Sequence, residues 1–428
     1  RVVVIAHDKE DSLEMCLASL LSQKEFGQFP LAVSLDEPAA FEKMEGVVRD
    51  VSKEQPIDVW RKPHDASLSS AVAKIAAHFR FALTTSFELH GHEYAIFVES
   101  DLNLSPDFYW YFRVTAPLLR RDPSLWCVSA WNDNGFKGLV SDEHRLFRTD
   151  YFPGLGWMIR RDTWESIRQI WPRYPSTGWD HWIRHGSGLR PRECVAPEVP
   201  RTHHVGEGGT NVVKGSGISK LLAKMVQSDL PSGALGHVDY LLHDKYEDLV
   251  RLRLNGAALL PFDQLTSPSS AEKYVVPYVR EDYPGIAKSL GIYPAEPRAA
   301  HRGIIITRHP ATGSFLALVD RRQGQGILPA SEQWHPHRRQ HVSKAAPGES
   351  CDTACAGLNM RCDARELEYI NTCDALKREF PCEDGCGHQV GKELPCYVHD
   401  ASRDTARQCL VTDVEVATCD ARHPSTTR

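Results

Sequence analysis

Two places in the chain set carboxylates where they can do chemistry. The first is Glu99-Ser100-Asp101, which follows directly on the apolar run Tyr94–Val98. Oxygen ligands at the carboxyl end of a strand suit a hard divalent cation. A cation held there can bridge a diphosphate and neutralise charge building on a nucleotide leaving group, a role that suits glycosyl transfer from a sugar nucleotide. The plainer use of such an acidic pair is a helix cap or a solvated turn. The second place is Asp180, set between Trp179 and Trp182 in the run GWDHW. Transfer with inversion needs one carboxylate to take the acceptor hydroxyl's proton. Aromatic neighbours desolvate such a group, raise its basicity and offer flat faces to sugar rings. The alternative is a Trp-rich core segment in which Asp180 is a satisfied buried polar group.

These residues need a scaffold, and the pattern around them describes one. A strand over Arg1–Ala6 leads to a helical stretch from about Asp11, with Leu13, Leu17, Leu20 and Leu21 on one face, and then to a strand over Leu31–Leu35. Between Ser67 and Leu89 the residues Val72, Ile75, Ala76, Phe79 and Leu83 recur at helical spacing, and Tyr94–Val98 reads as a short buried parallel strand. Alternating β and α elements of this kind make a doubly wound α/β sheet, whose ligands sit at the carboxyl ends of the strands. Asp36 and the Glu99–Asp101 triplet stand at such ends. Between Cys127 and Thr210 the chain is rich in Trp, Pro and Gly, which predicts a pocket-forming half built largely of loops. Glu207–Ser216 is glycine-rich but lacks the G-x4-G-K-[ST] form of a phosphate cradle. His301–Thr307 reads as one more strand, and 311–345, polar and basic towards its end, as a linker in which His335, His337 and His341 are solvated.

The 428 residues, 42% hydrophobic and 25% charged, are enough for two or more domains with sizeable cores. No run of about 18 apolar residues occurs, so any membrane anchor is expected only upstream of Arg1. The formal charge of -6 resides in the tail, where Ala346–Arg428 holds 15 acidic against 9 basic residues. The remainder is neutral, and neither part has the basic face that nucleic acid binding requires. Nine of the 12 cysteines also fall in this tail: Cys351, Cys355, Cys362, Cys373, Cys382, Cys386, Cys396, Cys409 and Cys419. Their irregular spacing, without a C-x2-C pair, favours a disulfide framework over a zinc site. An odd number leaves one thiol free, or paired with Cys16 or another chain.

Several long words in the chain are recognisable. FVESDLNLSPDFYWYF (97–112), DPSLWCVSAWNDNG (122–135), RTDYFPGLGWM (148–158), GWDHWIR (178–184) and RECVAPEVPRT (192–202) resemble the inverting N-acetylglucosaminyltransferases. That family includes N-acetylglucosaminyltransferase I and the protein O-mannose β-1,2-N-acetylglucosaminyltransferase, and the resemblance runs from Val4 to about Thr307. It implies a GT-A type fold, UDP-GlcNAc as donor, manganese (Mn2+) as cofactor and β-1,2 transfer to a mannose of a glycan or glycoprotein. The family's acidic E-D-D motif falls on Glu99, Ser100 and Asp101, with Asp101 as the direct metal ligand and Glu99 beside the donor sugar. The catalytic base falls on Asp180, and Trp157 and Trp179 fall in the acceptor pocket. Uridine and phosphate contacts fall on His7, Lys9, Asp36, His78, Thr210 and Asn211, the last two in a loop, 206–216, that is mobile in family members until donor binds.

The resemblance also implies a disulfide between Cys127 and Cys194. Four positions depart from the pattern. Ser100 replaces the central Asp, His181 stands where N-acetylglucosaminyltransferase I has an acidic residue, and His7-Asp8-Lys9 stands where the family has Cys-Asp-Arg, so a forked phosphate grip becomes a point charge. APGESCDTACAGLNMRC (346–362) resembles the Cys-rich C-terminal module of N-acetylglucosaminyltransferase V. The expected organisation is a nucleotide-sugar half (1–112), an acceptor and catalytic half (113–310), the linker (311–345) and a disulfide module (346–428). The expected activity is GlcNAc transfer to the α-1,3-linked mannose of N-glycans in the Golgi lumen, by a type II membrane protein. An O-mannosyl acceptor and a catalytically silent sugar-binding protein are the alternatives.

Overall fold

The computed structural model describes residues 1–52, 56–173, 178–189, 191–205, 217–268, 270–412 and 415–428. The chain forms two units, one of residues 1–276, 290–293 and 297–319, the other of 277–289, 294–296 and 320–428.

The first unit opens with β1 (Val2–Ala6), α1 (Glu10–Leu21), β2 (Leu31–Leu35), α2 (Phe41–Val51), β3 (Asp58–Arg61), α3 (Ala71–Thr84) and β4 (Tyr94–Glu99). There follow β5 (Leu102–Leu104), α4 (Phe108–Arg121), β6 (Leu125–Ser129), β7 (Leu146–Thr149), β8 (Trp157–Arg160), α5 (Arg161–Ile167), α6 (Trp179–His185), β9 (Glu193–Pro197) and β10 (Thr202–His204). The apolar strands β1 and β2 are buried along their whole length, as parallel strands covered on both faces must be. Helix α3 starts where Ser70 Oγ accepts a hydrogen bond from the Ala73 N–H at 3.1 Å, and it buries Ala76, Phe79 and Leu83.

Eight strands make one sheet in the order β3-β2-β1-β4-β8-β6-β9-β7. β1 runs parallel to both β2 and β4, so the chain order reverses beside β1 and opens a crevice at the strand ends. Beyond β4 the sheet turns mixed: β8 is antiparallel to β4 and β6, and β9 runs parallel to β6. This doubly wound α/β sheet is the arrangement predicted, but the segment read as mostly loops supplies β6 to β9. Those strands are only four or five residues long and stand between Trp, Pro and Gly clusters, which hid them. The expected boundary between 112 and 113 falls inside α4. Register sets Cys127 opposite Cys194, and the two form a disulfide.

Beyond β10 come α7 (Gly217–Leu222), α8 (His243–Leu254), β11 (Ala258–Leu259), β12 (Lys273–Tyr278), α9 (Tyr283–Leu290), β13 (Ala300–His301), β14 (Ile304–Arg308) and β15 (Phe315–Asp320). β11 to β15 form a second sheet in the order β11-β12-β15-β14-β13. The single strand expected over 301–307 is a hairpin, because Arg302 and Gly303 take positive φ and turn the chain between β13 and β14. The linker expected over 311–345 is corrected too, since its FLALVD run is β15, paired with β14. A buried ion cluster ties this sheet to the first. Arg148 donates to Glu193 and Asp122 at 2.7 and 2.8 Å, Glu193 meets His301 Nδ1, and His301 Nε2 lies 3.1 Å from Glu247.

The second unit carries α10 (Cys351–Gly357), α11 (Ala364–Ile370), α12 (Cys373–Glu379), β16 (Cys386–His388), β17 (Cys396–Val398), β18 (Cys409–Val411) and β19 (Thr426–Thr427). Its strands order as β16-β18-β17-β19, and Leu376, Phe380 and Val411 pack between the disulfide cysteines Cys382 and Cys409. Disulfides join Cys362 to Cys419, Cys373 to Cys386 and Cys382 to Cys409. Cys351, Cys355 and Cys396 stay unpaired, three thiols where the odd count predicts one, and Cys16 is a free, buried thiol of the first unit. Residues of the expected linker pack within this unit: Arg322 donates to Asp320 and Glu368, and Tyr369 donates to the Trp334 carbonyl.

Candidate functional site

The carboxyl ends of β1, β2 and β4 deliver His7, Asp36 and Glu99 side by side, because Ala6 pairs with Leu35 and Ile5 with Glu99. Asp36 lies between two imidazoles. His7 Nδ1 is 2.7 Å from one carboxylate oxygen, and His78 Nδ1, reaching across from α3, is 3.5 Å from the other. Ser34 Oγ lies 2.9 Å from His78 Nε2. Burial pushes the His78 pKa down to about 4 against the pull of Asp36, so its ring is neutral near pH 7. A neutral ring locked between a hydroxyl and a carboxylate is a fixed set of donors and acceptors, suited to a planar heterocycle.

Asp101 follows β4 by one turn. Its Oδ2 lies 3.2 Å from His204 Nε2, and its Oδ1 is buried without a hydrogen-bond partner among the described residues. Burial raises the Asp101 carboxyl, but the His204 contact and the charge of Lys9 outweigh it and hold it below its ordinary value. Burial first, then the charges of Asp101 and Asp180, push the Glu99 carboxyl up to about 8. Glu99 therefore senses two other carboxylates, one of them 81 positions further along the chain. A buried carboxylate oxygen with nothing to accept from is a deficit that a divalent cation fills, so the donor set fits such an ion.

Asp180 is the second residue of α6, after the N-cap Gly178 at φ 127. Its Oδ2 accepts from Arg184 Nη1 at 2.8 Å. The guanidinium is fixed in turn: Nε donates to the Phe152 carbonyl at 3.0 Å and the group stacks 4.7 Å from the Tyr151 ring. The flanking tryptophans do not enclose the carboxylate, whose side chain is 41% exposed. Trp179 is instead buried, stacked on Trp157 and Trp171 with centroids 5.5 and 5.9 Å away and lying 4.1 Å from Phe79. Trp157 is 2% exposed and packs on Phe97 and Phe152. The expectation that these two rings line an acceptor pocket is therefore corrected: both belong to the core that seats α6, and neither offers a face to a sugar.

Thr210 and Asn211 lie outside the described residues. Lys9 stands at the N-terminus of α1, close enough for its charge to act on Asp101. Arg184 and His204 are the participants that reading the sequence missed. Arg184 had a findable signal, since it stands four residues after Asp180 on a helix. His204 had none, being 103 residues from Asp101 in the chain.

The GNT-I family matches residues 1–325 of the chain. The alpha-1,3-mannosyl-glycoprotein 2-beta-N-acetylglucosaminyltransferase of Arabidopsis thaliana is 31% identical over 330 residues, 73% of this chain and 72% of that protein. Among solved structures, S. aureus TarS 1-349 in complex with UDP-GlcNAc is 12% identical with a TM-score of 0.35, over 61% of this chain and 68% of that one. Glucosyl-3-phosphoglycerate synthase of Mycobacterium tuberculosis, in complex with Mn2+, UDP and phosphoglyceric acid, is 14% identical with a TM-score of 0.26, over 39% and 57%. A match over most of the first unit's length, together with a relative above 30% identity across most of both chains, shows that the chain belongs to the GNT-I family.

Proposed function

We propose that the protein is an inverting glycosyltransferase that moves GlcNAc from UDP-GlcNAc, in β-1,2 linkage, to the α-1,3-linked mannose of N-glycans. The observation that carries the reading is the convergence of Asp36, Glu99, Asp101 and Asp180 on the crevice beside β1, within a chain of this family. His7, Asp36 and His78 orient the uridine. Asp101 holds a divalent cation, taken to be Mn2+, through its carboxylate, one oxygen of which has no hydrogen-bond partner among the described residues. When bound, that ion supplies Lewis-acid stabilisation of the departing UDP. Glu99 faces the donor sugar. Asp180, half-exposed and aimed by Arg184, takes the proton of the mannose 2-hydroxyl as that oxygen attacks the anomeric carbon from the face opposite UDP, in one displacement. Four disulfides support placement in an oxidising lumen, that of the Golgi. No helix among the described residues is long and apolar enough to cross a membrane.

The test is UDP release from UDP-GlcNAc with Mn2+, comparing an oligomannose N-glycan, an O-mannosyl peptide and no acceptor. The expected result is release with the N-glycan, abolished in Asp180→Asn with UDP-GlcNAc affinity nearly intact. Release with the O-mannosyl peptide alone would overturn the acceptor assignment. Silence with both, despite sugar binding, would make the protein a lectin.

A further inference from the structure

We infer that His204 is a second protein ligand of the divalent cation at Asp101 and biases the site towards transition-metal ions over Mg2+. The inference rests on the proposal that Asp101 holds such an ion. β5 and β10 form an antiparallel ribbon in which Leu102 faces His204 and Asn103 faces His203. The ribbon is extended at the site itself, where the Val205 N–H donates to the Asp101 carbonyl at 3.0 Å. This register carries His204 Nε2 to 3.2 Å from Asp101 Oδ2, with the imidazole side chain 11% exposed.

Each end of the ribbon is anchored. Arg201, buried, donates to Asp107 Oδ2 at 3.1 Å and to the Val199 carbonyl at 2.7 Å, while the Ser105 N–H donates to the Arg201 carbonyl at 2.9 Å. Gln227 clamps the middle, accepting from Asn103 Nδ2 and donating to the Asn103 carbonyl, each at 3.0 Å. Thr202 Oγ1 donates to the Leu155 carbonyl at 2.8 Å. Side chains held by such a frame keep their places whether or not an ion is present, which is what a preorganised ligand pair requires.

The separation of the two atoms decides between a mere hydrogen bond and a ligand pair. An octahedral ion with bonds of about 2.1 Å sets neighbouring ligand atoms about 3 Å apart. The His204–Asp101 contact has that spacing, so the two atoms are far enough apart to share one ion. The pair also leaves Asp101 Oδ1 buried and, among the described residues, unpaired, so a hydrogen bond alone does not complete the site. Imidazole nitrogen is a ligand for transition metals, whereas Mg2+ prefers oxygen and water. A His–Asp pair therefore discriminates between ions that an all-oxygen site would treat more alike.

The experiment measures binding of Mn2+ and Mg2+ in the presence of UDP by the protein and by His204→Gln, together with nitrogen couplings in the pulsed electron paramagnetic resonance spectrum of bound Mn2+. The expected result is a directly bound imidazole nitrogen in the unaltered protein. In His204→Gln that coupling is absent, Mn2+ affinity falls by about 10-fold and Mg2+ affinity changes by less than about 3-fold. Bound Mn2+ without nitrogen coupling in the unaltered protein overturns this inference and leaves the metal reading of Asp101 standing. Equal losses for the two ions would make His204 a positioning residue and overturn it likewise. Absence of any Mn2+ binding with UDP overturns both. The coupling is read on the unaltered protein, so the test survives a variant that fails to fold.

Discussion

Replacing Gly178 by Ala tests the role of Asp180 without touching it. Gly178 sits at φ 127 and ψ 153, a region open to glycine, so an alanine there costs on the order of 1–3 kcal/mol of stability. An added Cβ would stand 2.6 Å from Asp180 Oδ1, well inside ordinary contact. The carboxylate can escape only by rotating, yet its other oxygen is tied to Arg184 at 2.8 Å, and Arg184 is tied to the Phe152 carbonyl. Relief of the clash therefore moves the reacting oxygen by about 1 Å, a displacement that costs roughly 100-fold in rate when the group is the catalytic base. The Asp36–His78 pair and Asp101 lie on other elements and are untouched. Steady-state UDP release by Gly178→Ala should show kcat down by about 100-fold with KM for UDP-GlcNAc within about 3-fold of the parent, in protein that is folded by circular dichroism. A variant that is folded and turns over at the parent rate would refute the assignment of Asp180 as the base.

Trp179→Ala separates a core role from an acceptor role. Removing a ring packed on Trp157, Trp171 and Phe79 should cost about 3–5 kcal/mol in denaturant unfolding, and a variant of unchanged stability with a raised acceptor KM would restore the pocket reading. The His301 cluster should make stability depend on pH. Burial lowers the His301 pKa, but the hydrogen bonds to Glu193 and Glu247 outweigh it and raise it, while Glu247 is held down to about 2, first by its hydrogen bond to His301. His301 thus stabilises fully below about pH 6.5 and loses this as pH rises through its raised folded value, and Glu247 stabilises above about pH 4.5 and loses this as pH falls towards 2. The stability gap between the protein and His301→Gln should peak between about pH 4.5 and 6.5, at about 1–3 kcal/mol, and narrow by pH 8.5. A gap that widens above pH 7 would contradict the assigned charges.

The strand ends that carry Asp36, Glu99 and Asp101 were legible because each follows an unbroken apolar run, and burial on both faces leaves no other pattern for a parallel strand. A second, disulfide-rich unit was legible as a composition shift, since cysteine density and charge are properties of a segment. Partnership is different, because it depends on register and on which faces meet. The chain says that Trp157 and Trp179 are apolar and aromatic, but only their stacking against Phe79 and Trp171 assigns them to the core instead of to a ligand. FLALVD reads alike as a strand or as a short apolar patch in a linker until β14 pairs with it. The three disulfides of the tail are one choice among many pairings: β16 and β18 bring Cys386 and Cys409 to Cys373 and Cys382, while Cys396 on β17 stays a free thiol. His204 meets Asp101 only because an antiparallel ribbon folds a hundred residues back on itself, and no local propensity encodes a contact made at that separation.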